Sequence, residues 1–192
     1  EFRRVLFRSR FILILALLAN SYSWAKPAAV IDDPNDLTAK TWIVADADNK
    51  ILAGKDIATP RPMASITKVM TVLTVMEAKQ DLAQYIRYNN SLMLTREELI
   101  ELAMVKSDNH AAELLCKNYV GGYSKCISDM NSNAVKYGMH NTNYADATGL
   151  LAENTSTAKD LLLLLTVAEK NYLITHAATK TKVEIQHKKK WL

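Results

Sequence analysis

The chain of 192 residues is 49% apolar and 23% charged, the balance of a single folded domain, which excludes a disordered, collagen-like or coiled-coil polypeptide. Its formal net charge of +4 sits at the ends: residues 1–25 hold four Arg against one Glu, residues 180–192 hold five Lys against one Glu, and the stretch between carries 15 basic and 18 acidic side chains. A body at −3 lacks the basic face that nucleic acid requires, so no nucleic-acid partner is expected.

Residues 1–9 contain no Met and read as a scar ahead of a leader. Arg10 followed by the apolar run Phe11 to Ala19 is a positive flank and a core of about nine residues, short of the ~20 that span a membrane. Ser23-Trp24-Ala25 places small residues where a signal peptidase reads them. Cleavage is therefore expected after Ala25, with a periplasmic or secreted protein and no stable transmembrane segment; a short uncleaved anchor is the alternative. Residues 26–40 then form a leader arm, and 41–192 the folded domain.

Trp42–Ala45 and Ile51–Ala53, separated by Asp46-Ala47-Asp48-Asn49-Lys50, read as strand, turn and strand. Ile51 stands where a calcium loop needs Gly, so no metal is expected there. From Ser65 to about Lys79 the apolar positions surround nearly the whole helix, as in a buried one. Thr95 and Glu98 form a capping box, with Leu94 and Leu99 as a hydrophobic staple, so a helix starts at Arg96 and ends near Lys106. Further helices are expected from about Asn109 to Tyr119 and from Tyr123 to Tyr137, each stopped by Gly. Thr157 and Asp160 make a second capping box for a helix reaching about Lys170, and Lys182–Ile185 alternates like a half-exposed strand. No repeat appears at solenoid periods.

Cys116 and Cys126 flank the turn Val120-Gly121-Gly122. Export leaves two readings open: a disulfide between antiparallel helices, worth ~2.7 kcal/mol by loop closure, or two reduced and buried thiols.

Two short patterns carry chemistry. Ser65 and Lys68 are three apart on a helix, hence on one face. A serine hydroxyl is a weak nucleophile until a base takes its proton, and a lysine pushed toward its neutral form by burial can do so, while the helix N-terminus offers free N–H groups to an oxyanion. Alone, the pattern more readily describes a capping serine with a solvent-facing lysine. Ser107-Asp108-Asn109 adds a hydroxyl and an amide in a turn between two helices, able to relay a proton and grip a peptide in one cleft. Together the two patterns are a signature shared by class A β-lactamases and penicillin-binding proteins.

The likeness extends through Arg61-Pro62-Met63-Ala64-Ser65-Ile66-Thr67-Lys68, Ser107-Asp108-Asn109-His110-Ala111-Ala112, Gly121-Gly122-Tyr123, Asp146-Ala147-Thr148-Gly149-Leu150 and Ser156-Thr157-Ala158-Lys159-Asp160-Leu161. In these segments the chain resembles the D-alanyl-D-alanine carboxypeptidase and endopeptidase family of low-molecular-mass penicillin-binding proteins, from about Thr41 to Leu192. The resemblance implies an α+β fold of the serine β-lactamase and transpeptidase type, a helical cluster on an antiparallel sheet. It implies Ser65 as acylated nucleophile, Lys68 as general base, Ser107 as proton relay and Asn109 as peptide contact. Peptidoglycan stem peptides are the implied substrate and β-lactams the implied covalent inhibitors, with no cofactor.

Two departures stand out. The excursion between Lys79 and Leu94 is shorter than in relatives, and the Lys-Thr-Gly strand is absent, since Lys180-Thr181-Lys182 lacks the Gly. The chain therefore reads as cut short, its later strands missing. Two rivals remain: a class A β-lactamase, for which no Glu-x-x-Leu-Asn stretch is found, and a catalytically silent peptidoglycan-binding relic. His110, His140, His176 and His187 show no metal-ligand spacing, and Tyr85, Tyr88 and Tyr119 read as packing residues. Lys188–Lys190 reads as a solvated turn or strand edge.

Overall fold

In the computed structural model, residues 37–185 are described. The order is β1 (Trp42–Ala45), β2 (Ile51–Lys55), β3 (Arg61–Pro62), a 3₁₀ turn (Ala64–Ile66), α1 (Thr67–Glu77), β4 (Tyr85–Arg87), β5 (Met93–Thr95), α2 (Arg96–Val105), α3 (Asn109–Lys117), α4 (Gly122–Lys136), β6 (Thr155–Ser156), α5 (Ala158–Ala168) and α6 (Tyr172–Ala178). The leader, the cleavage site after Ala25 and Lys188–Lys190 lie outside the described residues.

A buried helix organises the rest. Thr67, Lys68, Met70, Thr71, Val72, Leu73, Thr74 and Val75 of α1 are all buried, so the helix is enclosed on nearly every side, as its all-round apolar pattern requires. Helices α2, α3, α4 and α5 gather about it. Met70, Leu94, Leu99, Ile100, Leu115 and Met130 are among the core side chains between them. The capping box of α2 forms as expected: Thr95 Oγ1 accepts from the Glu98 N–H at 3.2 Å and the Glu98 carboxylate accepts from the Thr95 N–H at 2.8 Å.

The second box is only half made. Thr157 Oγ1 accepts from the Asp160 N–H at 3.1 Å, but the Asp160 carboxylate turns away and accepts from the Asn141 N–H and the Thr142 hydroxyl, both at 2.8 Å. Tertiary donors compete successfully with the local one.

The strands form three separate antiparallel ribbons among the described residues, β1 with β2, β3 with β6, and β4 with β5. Helix α5 packs on β1. The turn between β1 and β2 is an Asx turn in which Asp46 Oδ1 accepts from the Asp48 and Lys50 N–H groups, which uses the carboxylate locally.

Three features depart from the sequence reading. Lys182–Ile185 is not a strand: no neighbouring strand pairs with it among the described residues, and Lys182 and Glu184 pair with each other at 2.8 Å on an exposed segment. Alternation without a neighbour leaves the backbone groups to water. Helix α6 adds an element beyond those expected from the sequence. It is nucleated by Asn171, whose side chain accepts from the Leu173 and Ile174 N–H groups, and it buries Ile174 and Ala177 on the side that packs toward α2. The ribbons β3–β6 and β4–β5 are two and three residues long per strand, too short for a period of two to be visible.

Helices α3 and α4 are joined by a tight turn in which Gly121 and Gly122 take left-handed φ of 88° and 82°. The turn folds the helices back so that Cys116 and Cys126, both fully buried, form a disulfide with Cα atoms 5.4 Å apart. Cys116→Ser under oxidising conditions is expected to lower the thermal midpoint by roughly 5–10 °C, since about 2.7 kcal/mol of loop-closure stabilisation is lost. The same drop should appear in the parent chain after reduction, as read by circular dichroism.

Candidate active site

Ser65 lies in the 3₁₀ turn that leads into α1, and Lys68 lies one turn later. The entry is strained: Ala64 has a left-handed φ of 47°, a conformation that an L-residue adopts only under local constraint. That constraint comes from the two neighbouring strands and the loop after α4. Arg61 pairs with Ser156 in the β3–β6 ribbon, and the Met63 N–H donates to the Asn154 carbonyl at 3.0 Å. Ser65 is exposed, whereas Lys68 is only 2% exposed.

The Lys68 ammonium donates to Ser65 Oγ at 3.1 Å and to the Thr148 carbonyl at 2.8 Å. Burial, the dominant influence, pushes the Lys68 ammonium below its ordinary pKa, and the carboxylates of Asp146 and Asp108 oppose this. A buried amine touching a solvent-facing hydroxyl is the arrangement in which lysine can accept a proton from serine.

Ser107 follows α2 with a left-handed φ of 53°, at the helix-ending position where Gly is usual, and the Asp108 N–H returns to the Leu102 carbonyl at 3.2 Å. Asp108 then caps α3, its Oδ1 accepting from the Ala111 N–H at 2.7 Å. Its Oδ2 accepts from the Tyr88 hydroxyl at 2.9 Å, and His110 Nε2 meets the Tyr88 carbonyl at 2.6 Å. Tyr88 thus braces both sides of the turn, a role beyond the packing expected of it. Burial and the Asp108 carboxylate raise the Tyr88 pKa, so it remains a donor. The flanking Ser107 and Asn109 are exposed, and among the described residues their side chains have no hydrogen-bond partner. The Asp108 carboxylate acts electrostatically on Lys68, and α3, which Asp108 caps, packs against α1.

The third side of the pair is the loop 144–151. Asn131 of α4 clamps its start, donating to the Tyr144 carbonyl and accepting from the Tyr144 N–H. Thr71 of α1 donates to the Ala147 carbonyl at 2.8 Å. Asn154, fully buried, accepts from the Ala145 and Asp146 N–H groups and donates to the Leu151 carbonyl, closing the loop on itself. Gly149, at φ 85°, lies so close to Ala64 that a Cβ there would overlap the Ala64 carbonyl. Only glycine fits both the dihedral and the approach.

A separate cleft of about 560 Å³ lies away from these residues, lined by Tyr85, Thr95, Glu97, Glu101, Lys180 and Lys182 among others. Lys180 and Glu101 form an ion pair within it. Among the described residues no group of three or more His, Cys, Asp or Glu side chains could hold a metal ion, and no helix is long and apolar enough to cross a membrane.

The chain is similar to the D-alanyl-D-alanine endopeptidase of Escherichia coli strain K12, 32% identical over 187 residues that cover 90% of this chain and 60% of that one. Its structure is similar to a D-alanyl-D-alanine carboxypeptidase from Mycobacterium tuberculosis H37Rv, with a TM-score of 0.67, 27% identity, and coverage of 74% of this chain and 60% of the other. Penicillin-binding protein D2 from Listeria monocytogenes, at 21% identity, shares the fold with a TM-score of 0.68, over 78% of this chain and 69% of that one. The α+β architecture is thus that of the D-alanyl-D-alanine peptidases, penicillin-binding proteins and transpeptidases among the solved structures. The chain spans about 60% of the length of the E. coli relative. The model of one family, described as D-alanyl-D-alanine carboxypeptidase, matches residues 28–91 and 81–192, and the chain belongs to that family.

Proposed function

We propose that residues 41–192 form the nucleophile-bearing part of a serine D-alanyl-D-alanine peptidase that hydrolyses peptidoglycan stem peptides. The observation that carries this reading is the 3.1 Å contact between the buried Lys68 ammonium and the exposed Ser65 hydroxyl. Names of relatives at 32% and 27% identity point to the same bond class. In this reading neutral Lys68 takes the Ser65 proton as Oγ forms a bond to the carbonyl carbon of a D-alanyl peptide bond. The tetrahedral oxyanion is met by N–H groups at the start of the helix. The C–N bond then breaks, and Ser107 passes a proton from the Lys68 ammonium to the departing amine, while Asn109 holds the peptide backbone. Water attacks the Ser65 ester, releases the acid and returns the hydroxyl. No cofactor enters.

A β-lactam carries a strained amide that Ser65 opens in the same first step, with the leaving nitrogen still tethered. The cefotaxime-bound form of the Listeria homologue supports extending this to the present fold. An exported, periplasmic or secreted location is supported by the sequence pattern of Arg10, the apolar run Phe11 to Ala19 and Ser23-Trp24-Ala25, and by a proposed substrate that lies outside the cytoplasmic membrane.

A fluorescent penicillin is expected to label the chain covalently, and both Ser65→Ala and Lys68→Ala to abolish the label on a denaturing gel. Label that survives Ser65→Ala, or its absence from the parent chain, overturns the reading.

The direction of the Lys68 shift adds a pH dependence. The base is active when neutral, so the acylation rate rises with pH through the Lys68 pKa. Because burial lowers that pKa, the rising limb should have its midpoint below the ~10.4 of free lysine. Stopped-flow or quenched labelling from pH 5 to 10 measures it, and a rate that does not vary over that range contradicts Lys68 as base.

A further inference from the structure

The Ser65–Lys68 contact is short, but nothing in α1 itself explains why the ammonium is aimed at Ser65 rather than at another acceptor. Its second bond, to the Thr148 carbonyl at 2.8 Å, comes from a loop 80 residues away in sequence. That carbonyl is only as well aimed as the turn around it. The turn is organised by one side chain. Asp146 Oδ1 accepts from the Thr148 N–H at 2.7 Å, the Gly149 N–H at 2.6 Å and the Thr148 hydroxyl at 3.1 Å, and Oδ2 accepts from the Leu151 N–H at 2.9 Å. Four donors on one carboxylate, itself 8% exposed, fix the peptide planes on both sides of Thr148.

From this geometry we propose that Asp146 is the positioning residue for Lys68: its carboxylate locks the 146–151 turn so that the Thr148 carbonyl anchors the ammonium against Ser65 Oγ. The inference rests on the peptidase reading for its catalytic meaning and on hydrogen-bond geometry alone for the anchoring. Asp146 makes no hydrogen bond to Ser65 or Lys68, so it acts through the turn.

The same carboxylate sets the charge around the amine. Burial raises the Asp146 pKa, but the N–H groups of Gly149, Leu151 and Thr148 and the Thr148 hydroxyl outweigh it, so the group is held ionised below the usual carboxylate range. The charged groups acting on Lys68 are Asp146 from this loop and Asp108 from the turn before α3, and each favours the ammonium. Removing the Asp146 charge therefore moves Lys68 further toward the neutral amine, while loosening the turn spoils its aim. The two consequences have opposite signs on acylation and can be separated by pH.

The test uses the full chain and three variants, Asp146→Asn, Asp146→Glu and Lys68→Arg. The Lys68 titration is followed by the ¹³Cε shift of labelled lysine, assigned by loss of the signal in Lys68→Arg. Acylation by a fluorescent penicillin is measured over the same pH range. In Asp146→Asn the Lys68 midpoint and the rising limb of acylation should both fall by roughly half a pH unit or more, and the plateau rate should drop about 10- to 100-fold. Asp146→Glu, which restores the charge, should bring the midpoint back toward the parent value.

A midpoint unmoved in Asp146→Asn, or a Glu variant no different from the Asn one, overturns the proposal; a purely structural Asp146 would lower labelling with the midpoint in place. If the parent chain takes no penicillin, the peptidase reading fails, and the NMR midpoint still decides the anchoring. If Asp146→Asn shows no cooperative melting transition, Asp146→Ser, whose hydroxyl can still accept a turn N–H, carries the same comparison.

Discussion

A lysine ammonium at 2% exposure, held between a hydroxyl and a main-chain carbonyl, is the constraint on which this site depends. Burying a cation costs free energy unless its donors are satisfied, and here two acceptors come from segments that meet only in the folded state. The residual cost appears as the lowered affinity of Lys68 for its proton. That property is what the proposed general base needs, so in that proposal destabilisation of the charged form and readiness for proton transfer have one cause.

The surrounding structure can be understood as the means of keeping that amine in place. Helix α1 must be buried for Lys68 to be dry, and it is buried because α2, α3, α4 and α5 enclose it. The loop 144–151 must present the Thr148 carbonyl, and it is pinned by Asn131, Thr71, Asn154 and the carboxylate of Asp146. The contact of Gly149 with Ala64 couples that loop to the left-handed residue immediately before Ser65. The disulfide between α3 and α4 ties together the helix that begins with Asn109 and the one that holds Asn131.

Left-handed, non-glycine backbone occurs at both hydroxyl-bearing turns, as it does at Asn49, Asp56 and Lys79 elsewhere. Ala64 and Ser107 both adopt left-handed backbone without being glycine, and one precedes Ser65 while the other carries a candidate proton relay. Each is over-determined by neighbours: Ala64 by the 3₁₀ turn and the Asn154 carbonyl, Ser107 by the end of α2 and by Asp108, which both Tyr88 and the Ala111 N–H hold. Glycine would relieve the backbone at position 107 but remove the hydroxyl, which gives a physical reason for a strained serine there.

Much of the framework was legible from local rules. The buried helix carrying Lys68, the Thr95–Glu98 box, the Gly138 stop after α4 and the β1–β2 turn are decided within a few residues, by hydrophobic period, side-chain capping and backbone sterics, whereas Ser65 falls in the 3₁₀ turn ahead of the helix and α3 ends at Lys117, before the Gly pair. The cysteines could be read in two ways, because pairing depends on how two helices meet. Tertiary contacts decided the rest. The Lys182–Ile185 alternation came to nothing without a neighbouring strand, and Asp160 left its local cap for Asn141 and Thr142. Tyr88, Asn154 and Thr148 joined the site through bonds spanning 20 residues or more, or through main-chain atoms that side-chain motifs do not register. Residue types and spacing determined that a hydroxyl and an amine, Ser65 and Lys68, lie one turn apart; which carbonyl holds the amine, and which carboxylate organises that carbonyl, was settled only when distant segments closed around a charge that cannot be buried alone.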